Sequence, residues 1–171
     1  SGAGAHLVSS LMHKTSPVDA TLGMALVLQE PWDRFLDIGL DHPILNLFQA
    51  YFEPSDAINY GRLLVREPVD GGTHFLMTYG TGDTYSPVQT MAAFARAGYA
   101  ASLIPELEDT RSLSPDVAPP VSANVHRQGI GDFTAVCTQH APAAGDDGHF
   151  VVYDDETANR RMLQFFATAA V

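Results

Sequence analysis

Residues 74–87, HFLMTYGTGDTYSP, decide how this chain is read. The first six are a short apolar run closed by Gly80 and Gly82, which is the pattern of a strand buried in a parallel sheet. The glycines form a bend that presents one carboxylate, Asp83, just past the strand. In open α/β sheets chemistry collects outside the carboxyl ends of the strands, so Asp83 is a candidate catalytic residue. It could equally cap the turn or helix that begins near Ser86. The second candidate is His149, in Gly148-His149-Phe150, on a Gly-rich loop shortly before the last helical segment. A carboxylate hydrogen-bonded to Nδ1 holds a catalytic imidazole in one tautomer and stabilises its cation. The two residues are far apart in sequence, so only a fold can join them.

Downstream of Asp83, Ser86-Pro87 opens an amphipathic helix over 88–97, with Met91, Phe94 and Ala95 facing inward and Gly98 as its C-cap. Residues 100–105, AASLIP, form a second short apolar strand. Strand, helix, glycine and strand make a βαβ unit, with the two strands parallel and the crossover right-handed. Residues 108–120 are a polar, proline-containing loop. Residues 121–126 and 133–140 are strand candidates joined by a hairpin turn at 128–132. The second alternates, with Phe133, Ala135 and Cys137 set against Thr134, Val136 and Thr138. Residues 141–148 form the loop that delivers His149. Residues 155–170 are the closing amphipathic helix, with Met162, Leu163, Phe165 and Phe166 on the sheet.

Upstream, residues 1–5 (SGAGA) read as the tight bend at the end of a core strand. Residues 6–70 read as a mostly helical insertion. A helix at 6–13 puts Leu7, Leu11 and Met12 on one face, and Ser16-Pro17 suits the N-cap and first position of the next helix, 19–29, which Pro31 ends. A third helix, 43–52, aligns Ile44, Leu47, Phe48 and Tyr51. A short helix at 56–66 is closed by Pro68. The aromatics Trp32, Phe35, Phe48, Tyr51, Phe52 and Tyr60 read as core, part of which a cap could expose to an apolar substrate.

The totals exclude several classes. At 171 residues, 46% hydrophobic and 17% charged, the chain fits one globular domain. A net charge of −11 argues against a nucleic-acid or anionic-membrane surface. No run of about 18 apolar residues exists to span a bilayer. The single cysteine, Cys137, allows no internal disulfide and reads as small and buried. That is compatible with the cytoplasm without excluding the periplasm or secretion. Asp146, Asp147 and His149 match no zinc or EF-hand spacing and read as a solvated acidic loop. His126 and His140 are too scattered to complete a metal site, and His6, His13, His42 and His74 read as surface or half-buried. Gly80 and Gly82 lack the pattern of a phosphate loop.

Within this frame, Thr78–Pro87 carries an apolar strand followed by G-x-G-D-x-x-x-P and resembles the acid turn of α/β-hydrolases of the esterase/lipase type. Gly148-His149-Phe150 resembles that family's histidine loop. Acid before histidine is the order in which its triad ends. The helical segment lies where the family commonly inserts a cap, and Ser1-Gly2-Ala3-Gly4 resembles the end of an earlier strand, as in a bacterial group of hydrolases with that string. The resemblance covers most of the chain. It implies an α/β fold in which 71–171 are the C-terminal part of an α/β-hydrolase sheet, mainly parallel strands with flanking helices, and 6–70 are a helical cap. It further implies a serine hydrolase acting on a small-molecule carboxylic ester, with Asp83 orienting His149 and no metal or organic cofactor. The chain departs from the family in lacking G-x-S-x-G and in the long passage 107–148 before the histidine. The nucleophile is therefore expected in a missing N-terminal portion of the same protein or on a partner fragment, with Ser1 ranked below that. The strand at 74–79 would then leave an apolar edge unpaired, so further polypeptide is expected in the stable species. The alternative is a non-catalytic α/β domain that binds a partner or small ligand.

Overall fold

The structure, a computed structural model, describes residues 4–29, 39–69 and 71–169. Its centre is a parallel sheet of three strands, β1 (Phe75–Gly80), β2 (Ala101–Ser102) and β5 (Ala135–His140), in the order β1-β5-β2. Phe75 lies opposite Ala135 and Gly80 opposite His140, while Ala101 lies opposite Val136. A separate antiparallel hairpin joins β3 (Val125–Arg127) to β4 (Gly131–Phe133). The fold is thus mixed α/β with a small parallel sheet.

The strands flanking helix α5 (Val88–Ala97) are parallel, as expected, and β5 lies between them. One expectation about the strands changes. The expected alternating hairpin arm over 133–140 is split. Residues 131–133 close the hairpin, and 135–140 become the central strand, buried at every position. A central parallel strand is covered on both faces. The threonines flanking and within it tolerate burial because their hydroxyls find backbone acceptors: Thr134 donates to Ala169 O at 2.6 Å, and Thr138 to Met77 O at 3.4 Å.

Side chains alternate across β1. Met77 and Tyr79 pack with Met91, Ala95, Ala100 and Cys137 beneath α5, while Leu76 joins Leu103, Val121, Val136 and Phe165 on the other face. Gly98 does follow α5, but its φ of −78° is ordinary. A Cβ there would meet the Phe75 ring at 2.6 Å, so the glycine serves close packing, not a left-handed cap. On the opposite layer, α6 (Val151–Asp154) leads into α7 (Glu156–Thr168). The expected face of α7 is corrected: Ala158, Met162 and Phe165 turn inward, whereas Leu163 and Phe166 are exposed, at 57% and 76%.

The helical region holds α1 (Leu7–His13), α2 (Ala20–Leu28), α3 (Pro43–Phe52) and α4 (Arg62–Val65), with no strand among the described residues before β1. Val8, Met24, Ala25 and Leu45 form its core. Asp19, not Ser16-Pro17, caps α2, accepting from Leu22 N at 2.9 Å. Helix α3 has the expected bounds but the opposite orientation. Leu45 is fully buried, and Ile44, Leu47, Phe48 and Tyr51 face outward. Segment 56–66 is a 3₁₀ turn (Ala57–Asn59) followed by α4, not one helix. Pro31, Trp32, Phe35 and Ser1 lie outside the described residues. The Asp56 carboxylate staples this region together, accepting from His6 N, Leu7 N, Ile58 N and Gln49 Nε2 at 2.8–3.0 Å. Ala5 N donates to Thr90 O at 3.1 Å, tying α1 to α5. Among the described residues no helix is long and apolar enough to cross a membrane.

Candidate active site

β1 and β5 run parallel, so their carboxyl ends emerge side by side, and a short loop from each carries one candidate residue. After β1 the chain bends through Gly80, Thr81 and Gly82 to Asp83. After β5 it runs through 141–147 to a single 3₁₀ turn, Gly148–Phe150, that presents His149. The two carboxylate oxygens of Asp83 make different contacts. Its Oδ1 caps the turn, accepting from Tyr85 N at 2.8 Å and Ser86 N at 2.7 Å. Its Oδ2 lies 3.2 Å from His149 Nδ1. The carboxylate is nearly buried and the imidazole is 26% exposed, so the pair has a sheltered side and an open side.

An ionised carboxylate only accepts hydrogen bonds, so this contact requires a proton on Nδ1, and in the neutral ring the lone pair is then on Nε2. The ring is held on its other contacts by aromatic packing. Tyr85 stacks on it at 4.6 Å with planes 21° apart, and Phe150 meets it edge-on at 5.1 Å. Lys14, the chain's single lysine, places Nζ 5.8 Å from the Tyr85 ring centre. Among the described residues no hydroxyl or thiol is hydrogen-bonded to the His149 ring.

Asp147, read from sequence as part of a solvated acidic loop, is engaged instead, while Asp146 is exposed. Asp147 caps the 3₁₀ turn, its Oδ1 accepting from His149 N at 2.8 Å and from Thr84 N at 3.3 Å. The Thr84 hydroxyl donates to its Oδ2. Burial works against the charged carboxylate, but the Thr84 hydroxyl, the two backbone N–H groups and the nearby imidazole outweigh it. The group is held below the usual carboxylate range. The signal in the sequence was the Asp-Gly-His-Phe string itself, an aspartate placed to cap a helical turn.

A second histidine–aspartate contact lies deeper. His140 Nδ1 is 3.3 Å from Asp155 Oδ1, and its Nε2 is 3.3 Å from Thr138 Oγ1. This row of hydroxyl, imidazole and carboxylate has no access, since Thr138 is fully buried and His140 is 6% exposed. Burial pushes His140 below the usual imidazole range, despite the carboxylate beside it. His126 and Asp132 meet at 2.5 Å on the exposed hairpin. His42 caps α3, its Nδ1 accepting from Ile44 N at 3.3 Å. Cys137 is buried, and burial together with the Glu106 charge pushes its thiol up to about 12. Among the described residues no three His, Cys, Asp or Glu side chains gather as a metal site.

A cavity of about 400 Å³ opens beside Tyr85, between the start of α5, α1 and segment 52–57, with Leu7, Lys14, Phe52 and Asp56 in its wall. Its lining mixes polar and apolar groups. No family model matches the chain, and no curated protein and no solved structure is similar enough to it to count as a match.

Proposed function

We propose that this chain supplies the acid and the base of a serine hydrolase acting on carboxylic esters, in an α/β-hydrolase arrangement. One observation carries the reading: Asp83 Oδ2 reaches His149 Nδ1 from loops that follow two adjacent parallel strands. Asp83 orients His149. Nε2 takes the proton of a serine hydroxyl as its oxygen attacks the ester carbonyl, then returns that proton to the departing alkoxide. The acyl-serine is cleared by water, whose proton passes through the same nitrogen. The serine comes from polypeptide upstream of this segment or from a partner fragment, with Ser1 as the secondary choice. The helical region and the cavity beside Tyr85 enclose a small ester, and the chemistry needs no cofactor.

The test is fluorophosphonate labelling of the protein together with whatever polypeptide copurifies, followed by peptide mapping. Label within G-x-S-x-G on an upstream or partner peptide, lost in Asp83→Asn and His149→Ala, supports the reading. Label on Ser1 moves the nucleophile to that residue. Folded protein that takes no label overturns the hydrolase and leaves the α/β domain as a binding module.

A further inference from the structure

We propose that Asp147 is the positioning residue that sets the separation of Asp83 and His149, by tying the acid turn to the histidine turn. Each candidate residue sits on its own loop. The last strand pairing between those loops, Gly80 opposite His140, lies three residues before Asp83 and nine before His149. Beyond it, the Asp83 side chain bonds, among the described residues, only to its own turn and to the imidazole. Among the described residues the His149 ring hydrogen-bonds only to Asp83, and it otherwise meets the acid turn through the stacked Tyr85 ring, a contact with little directional preference.

Asp147 adds hydrogen bonds that run from the histidine turn to the backbone and side chain of the acid turn. Two of its three contacts go to Thr84, the residue after Asp83, and the third goes to the backbone N–H of His149. Each member of the pair is thus at most one peptide unit from a group that Asp147 holds. The contact of Gly148 with Gly80 brings the loops together, but van der Waals contact has little directional preference, whereas three hydrogen bonds to one carboxylate specify position and orientation. The imidazole is also near enough to favour Asp147 in its charged form.

An asparagine at 147 can keep this geometry. Its amide oxygen accepts the two N–H bonds, and its NH₂ donates to the Thr84 hydroxyl oxygen, which is then free to accept. Alanine keeps none of the three contacts. The inference rests on the Asp83–His149 pair being the functional one, but its readout needs no turnover.

The experiment is NMR on protein labelled with ¹⁵N-histidine, following the downfield Nδ1–H of His149, assigned by its loss in His149→Gln. Asp147→Ala is expected to exchange that proton with solvent about tenfold faster or more, with the amide spectrum still dispersed. Asp147→Asn is expected to keep the resonance. Thr84→Val removes only the hydroxyl contact and is expected to speed exchange, and it decides the matter if Asp147→Ala does not fold. An unchanged resonance in Asp147→Ala or in Thr84→Val, or its loss in Asp147→Asn, overturns the proposal. Absence of the resonance in the wild type overturns the pairing and the proposal together. Wild-type protein that shows the resonance but takes no fluorophosphonate overturns the ester reading alone.

Discussion

Gly148 passes over Gly80 with backbone against backbone. A Cβ on Gly80 would lie 2.7 Å from Gly148 Cα, and one on Gly148 would lie 2.7 Å from the Gly80 carbonyl carbon. The crossing seats the histidine turn on the carboxyl end of β1, which is where Asp83 begins its bend. Neither glycine shows a left-handed φ. Both are required by space.

Gly80→Ala and Gly148→Ala should therefore each push the two loops apart. The expected cost is about 1–3 kcal/mol, typical of a group forced into a packed contact. Urea unfolding measures it. Gly129→Ala is no neutral control, because Gly129 has φ +79°, but Gly23→Ala, on a helix with open space around it, is expected to leave stability unchanged or raised.

Asp83→Asn separates the two jobs of that carboxylate. The amide oxygen can still accept from Tyr85 N and Ser86 N, so the melting temperature should change little. The amide NH₂ then faces Nδ1, and two donors cannot share that contact, so the imidazole turns to the wrong tautomer. In the hydrolase reading the labelling rate falls by about 10⁴-fold, measured by fluorophosphonate kinetics.

Cys137 should be unreactive while the protein is folded. Its thiol is pushed up to about 12 from 9.0 by burial, and the Glu106 charge adds to this. At pH 8 the thiolate fraction is then about 10³-fold smaller than in the unfolded chain. Iodoacetamide should alkylate the protein only in denaturant.

His140 predicts a loss of stability in mild acid. Burial lowers its folded pKa below the unfolded 6.5, with Asp155 opposing that shift and Arg161 reinforcing it. The unfolded chain therefore binds the proton first. The contribution of His140 is fully present above pH 6.5 and is lost as pH falls from 6.5 toward the folded pKa. The urea midpoint should drop between pH 7.5 and 5.5, and His140→Gln should flatten that drop. The lowered pKa values of Asp56 and Asp147 act only below their usual value of 3.8, outside this window.

Much of the local structure was legible. The apolar run before Gly80, the stripe Met91, Phe94, Ala95 and the proline at the start of α3 each state their element through periodicity or dihedral preference, which neighbours in the chain decide. What was misread has a common cause. Ile44, Leu47, Phe48 and Tyr51 do share a face, but α3 buries Leu45 instead, because the seat offered by Val8 and Met24 lies on that side. Residues 133–140 alternate as a half-exposed strand would, yet the threonines are internal, since a buried hydroxyl is acceptable wherever a carbonyl meets it.

The sequence by itself determined that Asp83 follows a buried strand and that His149 stands on a glycine-rich turn, because φ/ψ preferences and apolar spacing are local properties. Only the tertiary structure decided that β5 enters between β1 and β2 and thereby brings those two turns side by side. It alone also decided that Asp147 would bind both turns and that the second imidazole, His140, would be sealed in the core. Parallel pairing joins residues some 60 positions apart through backbone groups that every residue carries. No pattern of side chains announces such a partner, so contact and access emerge only once the chain has packed.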